Sequence, residues 1–300
     1  MTTDLARRET HFEFGENWLS FVNEISDARV LAATRDLERL IPASEIRGRR
    51  FLDIGSGSGL SMLAALRLGA REVVGIDIDE NSVAASQRCL GRLAPGSRWQ
   101  VFRASVFDLD VAQTGSYDVV HSWGVLHHTG AMWAALDRAA ALVSADGLLV
   151  FALYLKTPFC GFWRAEKYFY SRVPGAVQAP IRWIYEGAGL LWDGASRTRR
   201  TIIAKDAPAG NDKTLPARGM SRSHDTHDWL GGYPYESATA AEVHDRLGAL
   251  GFGIVRENLN EACLGNLFGS TNNEYVARRR TTARPQSAAA GGERTTFGAS

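Results

Sequence analysis

The feature that most constrains this chain is a change of texture at Arg50. From there to Leu155, short apolar runs alternate with segments of helical period. A helix between two strands returns the chain to the end where the first strand began, so such a stretch folds as a parallel sheet with helices on its faces. Strands are expected at Arg50–Ile54, Glu72–Ile76, Arg98–Arg103, Tyr117–Ser122 and Gly147–Leu155. Helices are expected at Leu60–Leu68, which Gly69 stops, at Glu80–Gly91 and at Met132–Leu142. Upstream, Trp18–Leu40 reads as one amphipathic helix ending near Pro42. The alternation breaks at Lys156–Tyr235, which is rich in aromatics and arginines and has no strand periodicity. It resumes with a helix at Ala240–Leu250 and strands at Gly253–Asn258 and Glu274–Arg279. The expected organisation is an N-terminal lid segment over 1–44, a doubly wound α/β core over 45–155 and 236–280, a mostly helical cap over 156–235, and a disordered tail over 281–300.

Within the core, Phe51-Leu-Asp-Ile-Gly-Ser-Gly-Ser-Gly59 runs an apolar strand into three glycines and then a helix. Glycines let a backbone turn sharply and approach a ligand closely, and the helix start offers free N–H groups. The spacing is GxGxG. The dinucleotide fingerprint needs glycine where Leu60 stands, which disfavours an oxidoreductase. Asp53, two residues before the first glycine, would repel a pyrophosphate but suits an ammonium group. The second strand ends at Asp77, about 20 residues past the turn, where an acid can accept both hydroxyls of a ribose.

These motifs resemble those of class I S-adenosylmethionine-dependent methyltransferases, in particular the quinone-biosynthesis-like group. The resemblance implies a Rossmann-like seven-stranded sheet with the last strand antiparallel, and S-adenosyl-L-methionine as methyl donor. It assigns donor contacts to Asp53, Gly55, Ser56 and Gly57 in the turn, and to Asp77 and Ile78 after the second strand. Ala104-Ser-Val-Phe-Asp108 matches the family's adenine motif, so Ser105, Val106 and Phe107 would flank the ring. His11-Phe-Glu-Phe-Gly-Glu-Asn-Trp-Leu-Ser-Phe21 resembles an element that folds over the donor, with Phe14 and Trp18 closing the pocket. Packing of the same aromatics on the sheet edge is the competing reading.

After the fourth expected strand, Asp118-Val-Val-His-Ser-Trp-Gly-Val-Leu-His-His-Thr129 lies where doubly wound sheets bind ligands. His121, Ser122 and Trp123 would contact the donor. The resemblance places His127 nearest the acceptor, with His128 beside it, and either can take up a proton near neutrality. In the cap, Arg218–Glu236 carries His224, Asp225, His227 and Asp228. His224 and His227 are candidates for supporting catalysis. The four residues are metal-type donors, but no separate ligand set accompanies them and methyl transfer needs no metal, so none is expected.

The formal net charge of +1 supplies no field for gripping nucleic acid, and no apolar run is long enough to span a bilayer. Met1–Thr10 does not read as a signal peptide, and Cys89, Cys160 and Cys263 are too far apart for metal spacing, which fits free thiols in a cytoplasmic protein. The expected activity is methyl transfer to oxygen or nitrogen of a small or medium-sized acceptor, such as a natural product, a quinone-like ring or a sugar. An RNA methyltransferase whose cap aromatics stack on bases, and a protein that binds the donor without turnover, are the rival readings.

Overall fold

The computed structural model describes residues 14–187, 222–260 and 271–280. Seven strands form one sheet: β1 Arg50–Ile54, β2 Glu72–Asp77, β3 Trp99–Arg103, β4 Tyr117–Trp123, β5 Val143–Tyr154, β6 Phe252–Asn258 and β7 Asn272–Arg279. Their order is β3-β2-β1-β4-β5-β7-β6. β1 to β5 are parallel, and β7 runs antiparallel to both β5 and β6. The order reverses between β1 and β4, and that reversal opens a crevice at the carboxyl ends of these two strands.

Alternation along each strand builds the two faces of the core. Phe51, Val73, Val119, Leu148 and Val150 face one helical layer; Leu52, Val74, Val120, Leu149 and Phe151 face the other. The first layer holds α2 (Asp27–Leu40), α4 (Leu60–Arg67) and α5 (Glu80–Leu93). The second holds α7 (Met132–Ala141) and α11 (Ala240–Ala249). Short helices α3 (Ala43–Ile46) and α6 (Val111–Thr114) fill connections. Helix starts follow capping chemistry: the Asp79 carboxylate accepts from the Asn81 N–H, and Thr239 with Glu242 forms a reciprocal capping box.

The expected helix over Trp18–Leu40 is two helices. α1 (Phe14–Phe21) runs into a 3-10 turn at Val22–Glu24, and Ser26 caps a new start at Asp27. Ser26 is extended, with its hydroxyl turned to the Arg29 N–H, so the chain changes direction there. Beyond β5, the chain forms α8 (Cys160–Tyr170), a helix α9 over 175–187 and, after residues 188–221, α10 (Arg222–Gly231). The excursion leaves the sheet at Leu155 and rejoins it at Ala238, and these two residues form a parallel bridge. Residues 281–300, expected to be a disordered tail, lie outside the described residues. No described helix is long and apolar enough to cross a membrane.

A buried carboxylate ties the edges of the sheet to its helices. Glu274 of β7 accepts two hydrogen bonds from Arg39 of α2 (3.0 and 2.9 Å), one from the Trp123 indole (3.0 Å) and one from Asn258 (2.9 Å). Burial works to raise its pKa, but the bonds from Asn258, Trp123 and Arg39 outweigh burial and hold it below its ordinary value. We expect Glu274→Ala to cost about 2 kcal/mol in urea unfolding at neutral pH, since it takes the acceptor from the Trp123 indole and the Asn258 amide. A depressed carboxyl stabilises above its unfolded pKa and loses that contribution as pH falls through the folded one. The stabilities of wild type and variant should therefore converge in acid.

Candidate active site

The glycine-rich turn lies in the crevice. Gly55, Gly57 and Gly59 all have positive φ (75°, 51° and 75°), which a side chain would strain. The Gly55 and Ser56 N–H groups donate to the Ile76 carbonyl (2.8 and 3.0 Å), binding the turn to β2. Ser86 of α5 donates to the Gly57 carbonyl (2.9 Å) and lies 3.1 Å from the Ser56 hydroxyl, fixing the turn from behind.

Asp77 stands at the tip of β2. Its Oδ2 accepts from the Gly57 N–H (3.1 Å) and its Oδ1 from the Asp79 N–H (3.0 Å). Burial nevertheless pushes its pKa up to about 6, against the pull of those two N–H groups. A carboxylate that is both held and incompletely solvated gains from further donors, which is what ribose hydroxyls supply. Ile78, next along, is 45% exposed and presents an apolar surface there. The adenine motif is only partly turned to the crevice. Ser105 and Asp108 close their own turn, with the Ser105 N–H donating to Asp108 (3.2 Å) and the Phe107 N–H to the Ser105 hydroxyl (3.3 Å). The Val106 side chain is buried in the sheet core, and Phe107 packs against that core.

Asp53 is also turned differently from the direct ammonium contact that the sequence suggests. It is 3% exposed, and its Oδ1 lies 2.7 Å from His121 Nδ1. His121 in turn stacks on Phe51 at 5.6 Å. Ser122 is fully buried and donates to the Ile54 carbonyl (3.2 Å), while the Trp123 indole reaches sideways to Glu274. These three residues thus brace β4 against β1 and β7.

Helix α1 roofs the turn. The Trp18 ring lies where a Gly57 Cβ would be, 3.0 Å from that position. Gly15 sits so close to the β2–α5 loop that a Cβ would fall 2.2 Å from Asp79 Oδ1, and its N–H donates to Asp79 Oδ2 (3.1 Å). On its other side, Asn17 donates to the Asp228 carboxylate (2.8 Å) and the His224 carbonyl (3.1 Å) of α10. Phe14 approaches the His128 ring at 5.9 Å, and Phe21 meets His224 edge-on at 5.4 Å.

The two loop histidines differ sharply. His127 is fully buried, neither ring nitrogen has a hydrogen-bond partner, and its ring packs on Tyr154 at 4.0 Å. Burial first, then His128 and Lys167, hold it well below its ordinary pKa, so it is neutral. His128 is half-buried, with Nδ1 2.8 Å from the Pro234 carbonyl. A carbonyl can only accept, so in the neutral ring Nδ1 carries the proton and the lone pair sits on Nε2. His227 pairs with the Tyr170 hydroxyl (2.9 Å), and His224 keeps a buried Nδ1 without a partner.

Behind these lies a group that the sequence pattern did not single out. Lys167 of α8 is fully buried. It donates to the Trp229 carbonyl and stands 3.7 Å from the Trp229 ring, with the Tyr235 and Tyr154 rings at 5.7 and 5.9 Å. Burial drives it toward its neutral form, opposed by Glu166. At the start of α8, Cys160 Sγ accepts from Ser237 (3.3 Å), the Thr157 N–H (3.1 Å) and the Tyr235 hydroxyl (3.5 Å). Those donors outweigh its burial and draw the thiol pKa down. Only the richness of 156–235 in aromatics pointed to this cluster in advance.

This strand order with this turn and its paired acid is that of the class I, S-adenosylmethionine-dependent methyltransferases. The sequence profile of a methyltransferase domain matches residues 26–190, more than half of the chain, and the chain belongs to that family. Ubiquinone biosynthesis O-methyltransferase from Bordetella avium (strain 197N) is 32% identical over 116 residues, 39% of this chain and 47% of that protein. The enzyme of the same name from Rhodopseudomonas palustris (strain TIE-1) is 31% identical over 163 residues, 54% and 58% of the two chains. The chain thus spans about half the length of these curated relatives. Among solved structures, a putative S-adenosylmethionine dependent methyltransferase from Listeria monocytogenes superposes with a TM-score of 0.50 at 15% identity, covering 84% of this chain and 99% of that one.

The clearance at Gly15 yields a prediction that needs no ligand. Gly15→Val should lift α1 from Asp79, raising hydrogen exchange in Phe14–Phe21 by at least tenfold, about 1.4 kcal/mol of local opening, while β1 and β4 stay protected.

Proposed function

We propose that the protein transfers a methyl group from S-adenosyl-L-methionine to an oxygen or nitrogen of a small or medium-sized acceptor, and that an aromatic, quinone-like hydroxyl is the acceptor type that fits best. The observation that carries the donor reading is Asp77, held by the backbone of the glycine turn under the Trp18 roof. The names of the O-methyltransferase relatives and the cluster of rings formed by Tyr154, His128 and Phe14 support the acceptor reading. The free thiols of Cys89 and Cys160 fit a reducing, cytoplasmic setting. The excursion over 156–235 serves as the acceptor cap, since its helix α10 meets the lid over the glycine turn.

When bound, the donor supplies an electrophilic methyl on a sulfonium. The chain must hold the acceptor in line with it and take up the acceptor's proton. His128 is the residue placed for that proton. It is half-buried, approaches the Phe14 ring, and has its tautomer set by the Pro234 carbonyl, so Nε2 is the nitrogen that would take up a proton. His127, enclosed and neutral, backs the His128 ring at 4.3 Å and holds it against Tyr154. Asp77 would accept the ribose hydroxyls, Gly55–Gly57 would line the methionine side, and Asp53 would act there through His121.

Calorimetry with S-adenosylhomocysteine tests the donor site. Asp77→Ala should weaken binding by roughly tenfold to a hundredfold, the loss of a charged acceptor worth roughly 1.5–3 kcal/mol, without unfolding the protein. Unchanged affinity would remove Asp77 from the site. The pH dependence has a definite sign. Ribose hydroxyls favour the ionised carboxylate, so affinity should fall as pH drops through about 6, the pKa of Asp77 in the ligand-free protein. Asp77→Asn should be weak and flat across that range.

The catalytic reading is tested by turnover, once a panel of phenols, amines and hydroxylated natural products has been screened for a mass gain of one methylene. His128→Ala should lower kcat by roughly 10²–10⁴ while leaving donor affinity within twofold. His127→Phe, which keeps a ring against Tyr154, should retain much more activity. Full turnover of His128→Ala would move the base to the cap, to His224 or His227.

A further inference from the structure

We infer that Asn17 and Asp228 form a latch through which occupation of the donor site closes the cap, making them positioning residues for the acceptor. The inference rests on the donor reading above. Its basis is an unbroken path of contacts. Gly57 N–H and Asp79 N–H hold Asp77; Asp79 accepts from Gly15 at the start of α1; Asn17, one half-turn on, donates to Asp228 and to the His224 carbonyl of α10. Alongside it, Trp18 covers Gly57 while Phe21 touches His224. One short helix therefore touches the donor turn with one edge and the cap with the other.

The helix has two states available for a simple reason. Eight residues cannot hold a helix in water without packing, because nucleation costs more than so few hydrogen bonds return. α1 holds its helix through docking, so losing either dock weakens the other. A donor that buries itself against Asp77, Gly57 and the Trp18 ring adds contacts to the docked form alone and shifts the lid toward it. Through the charge-assisted bond at 2.8 Å the same shift reaches α10. α10 carries Trp229, whose carbonyl and ring hold Lys167 of α8. Docking of α1 thereby sets the positions of α8 and α10, and by linkage the donor site and the cap favour one another.

Asn17 and Asp228 lie 211 positions apart in the chain, and their pairing can be inverted. Asn17→Asp places two carboxylates face to face and breaks the latch. Asp228→Asn keeps an amide oxygen as acceptor and preserves it. The double variant N17D/D228N restores the 17–228 hydrogen bond with donor and acceptor exchanged, but not the bond to the His224 carbonyl.

The experiment is hydrogen exchange of the full chain with and without S-adenosylhomocysteine, with calorimetry on the same samples. In wild type, the ligand should slow exchange in both α1 and Arg222–Gly231 of α10 by about tenfold, a coupling of ordinary size. In N17D, α1 should still gain protection and α10 should not. D228N should behave nearly as wild type, and the double variant should recover most of the α10 response. Loss of protection in α1 as well would show that N17D merely undocks the lid. Asp228→Ala, which leaves the lid sequence intact, then decides: an α10 response that persists in it overturns the latch, and one that vanishes upholds it. A wild-type α10 that ignores the ligand, or an N17D response equal to wild type, overturns the inference outright. Absence of any calorimetric binding would overturn the donor reading instead, and the latch with it.

Discussion

The Asp77 carboxylate joins the parts of this molecule that have to act together. It sits at the tip of the second strand and is gripped by N–H groups from two different loops, those of Gly57 and Asp79. The parallel sheet makes this grip possible, since only neighbouring parallel strands bring their carboxyl ends to the same edge. Both the glycine turn and the lid depend on it. The turn is held at Gly57, and the lid docks on Asp79, whose position the Asp77 bond sets. The rise in the Asp77 pKa is the cost of placing a negative charge where little water reaches it.

The other half of the crevice rests on packing of rings. Tyr154, the last residue of β5, has His127 on one side and Tyr235 stacked on it at 5.1 Å. Lys167 closes the stack from behind, held by a carbonyl and by ring faces. The cap is thereby fixed to the sheet by the strand tip itself. A shift of α8 or α10 would take the Trp229 carbonyl from the buried Lys167 amine, which disfavours intermediate positions.

Much of this was legible in the sequence, because the signals for it are local. Strand ends fell within a residue or two for β1 to β4, since period-two burial and glycine stops are written in consecutive residues. β5 began earlier than its apolar run, at Val143, because Val143 pairs with Tyr117 ahead of an irregular stretch of small and polar residues, and regular pairing resumes at Leu148. The single helix expected at Trp18–Leu40 proved to be two, as the Ser26 cap outweighed a continuous apolar stripe. At the site, Asp77 and the glycines were readable from spacing. The partnership of Asp53 with His121 was not, nor was that of Asn17 with Asp228, because each joins residues far apart in the chain. Val106 was legible as part of a motif but not in direction, since strand-to-loop transitions lose the alternation that fixes a side chain's face.

The bridge between Leu155 and Ala238 has a consequence for how such a protein diversifies. The chain departs from the sheet and returns to it at two points one strand-spacing apart. Everything between them is, in topological terms, a loop with neighbouring ends. A replacement of any length need satisfy only that single spacing to leave the sheet, its strand order and the glycine turn undisturbed. Variation can therefore accumulate in this one continuous block, or be exchanged wholesale in the laboratory, while the rest of the sheet is inherited unaltered. The lid is the exception, since a transplanted cap would have to bring an acceptor for Asn17 at the position Asp228 now holds.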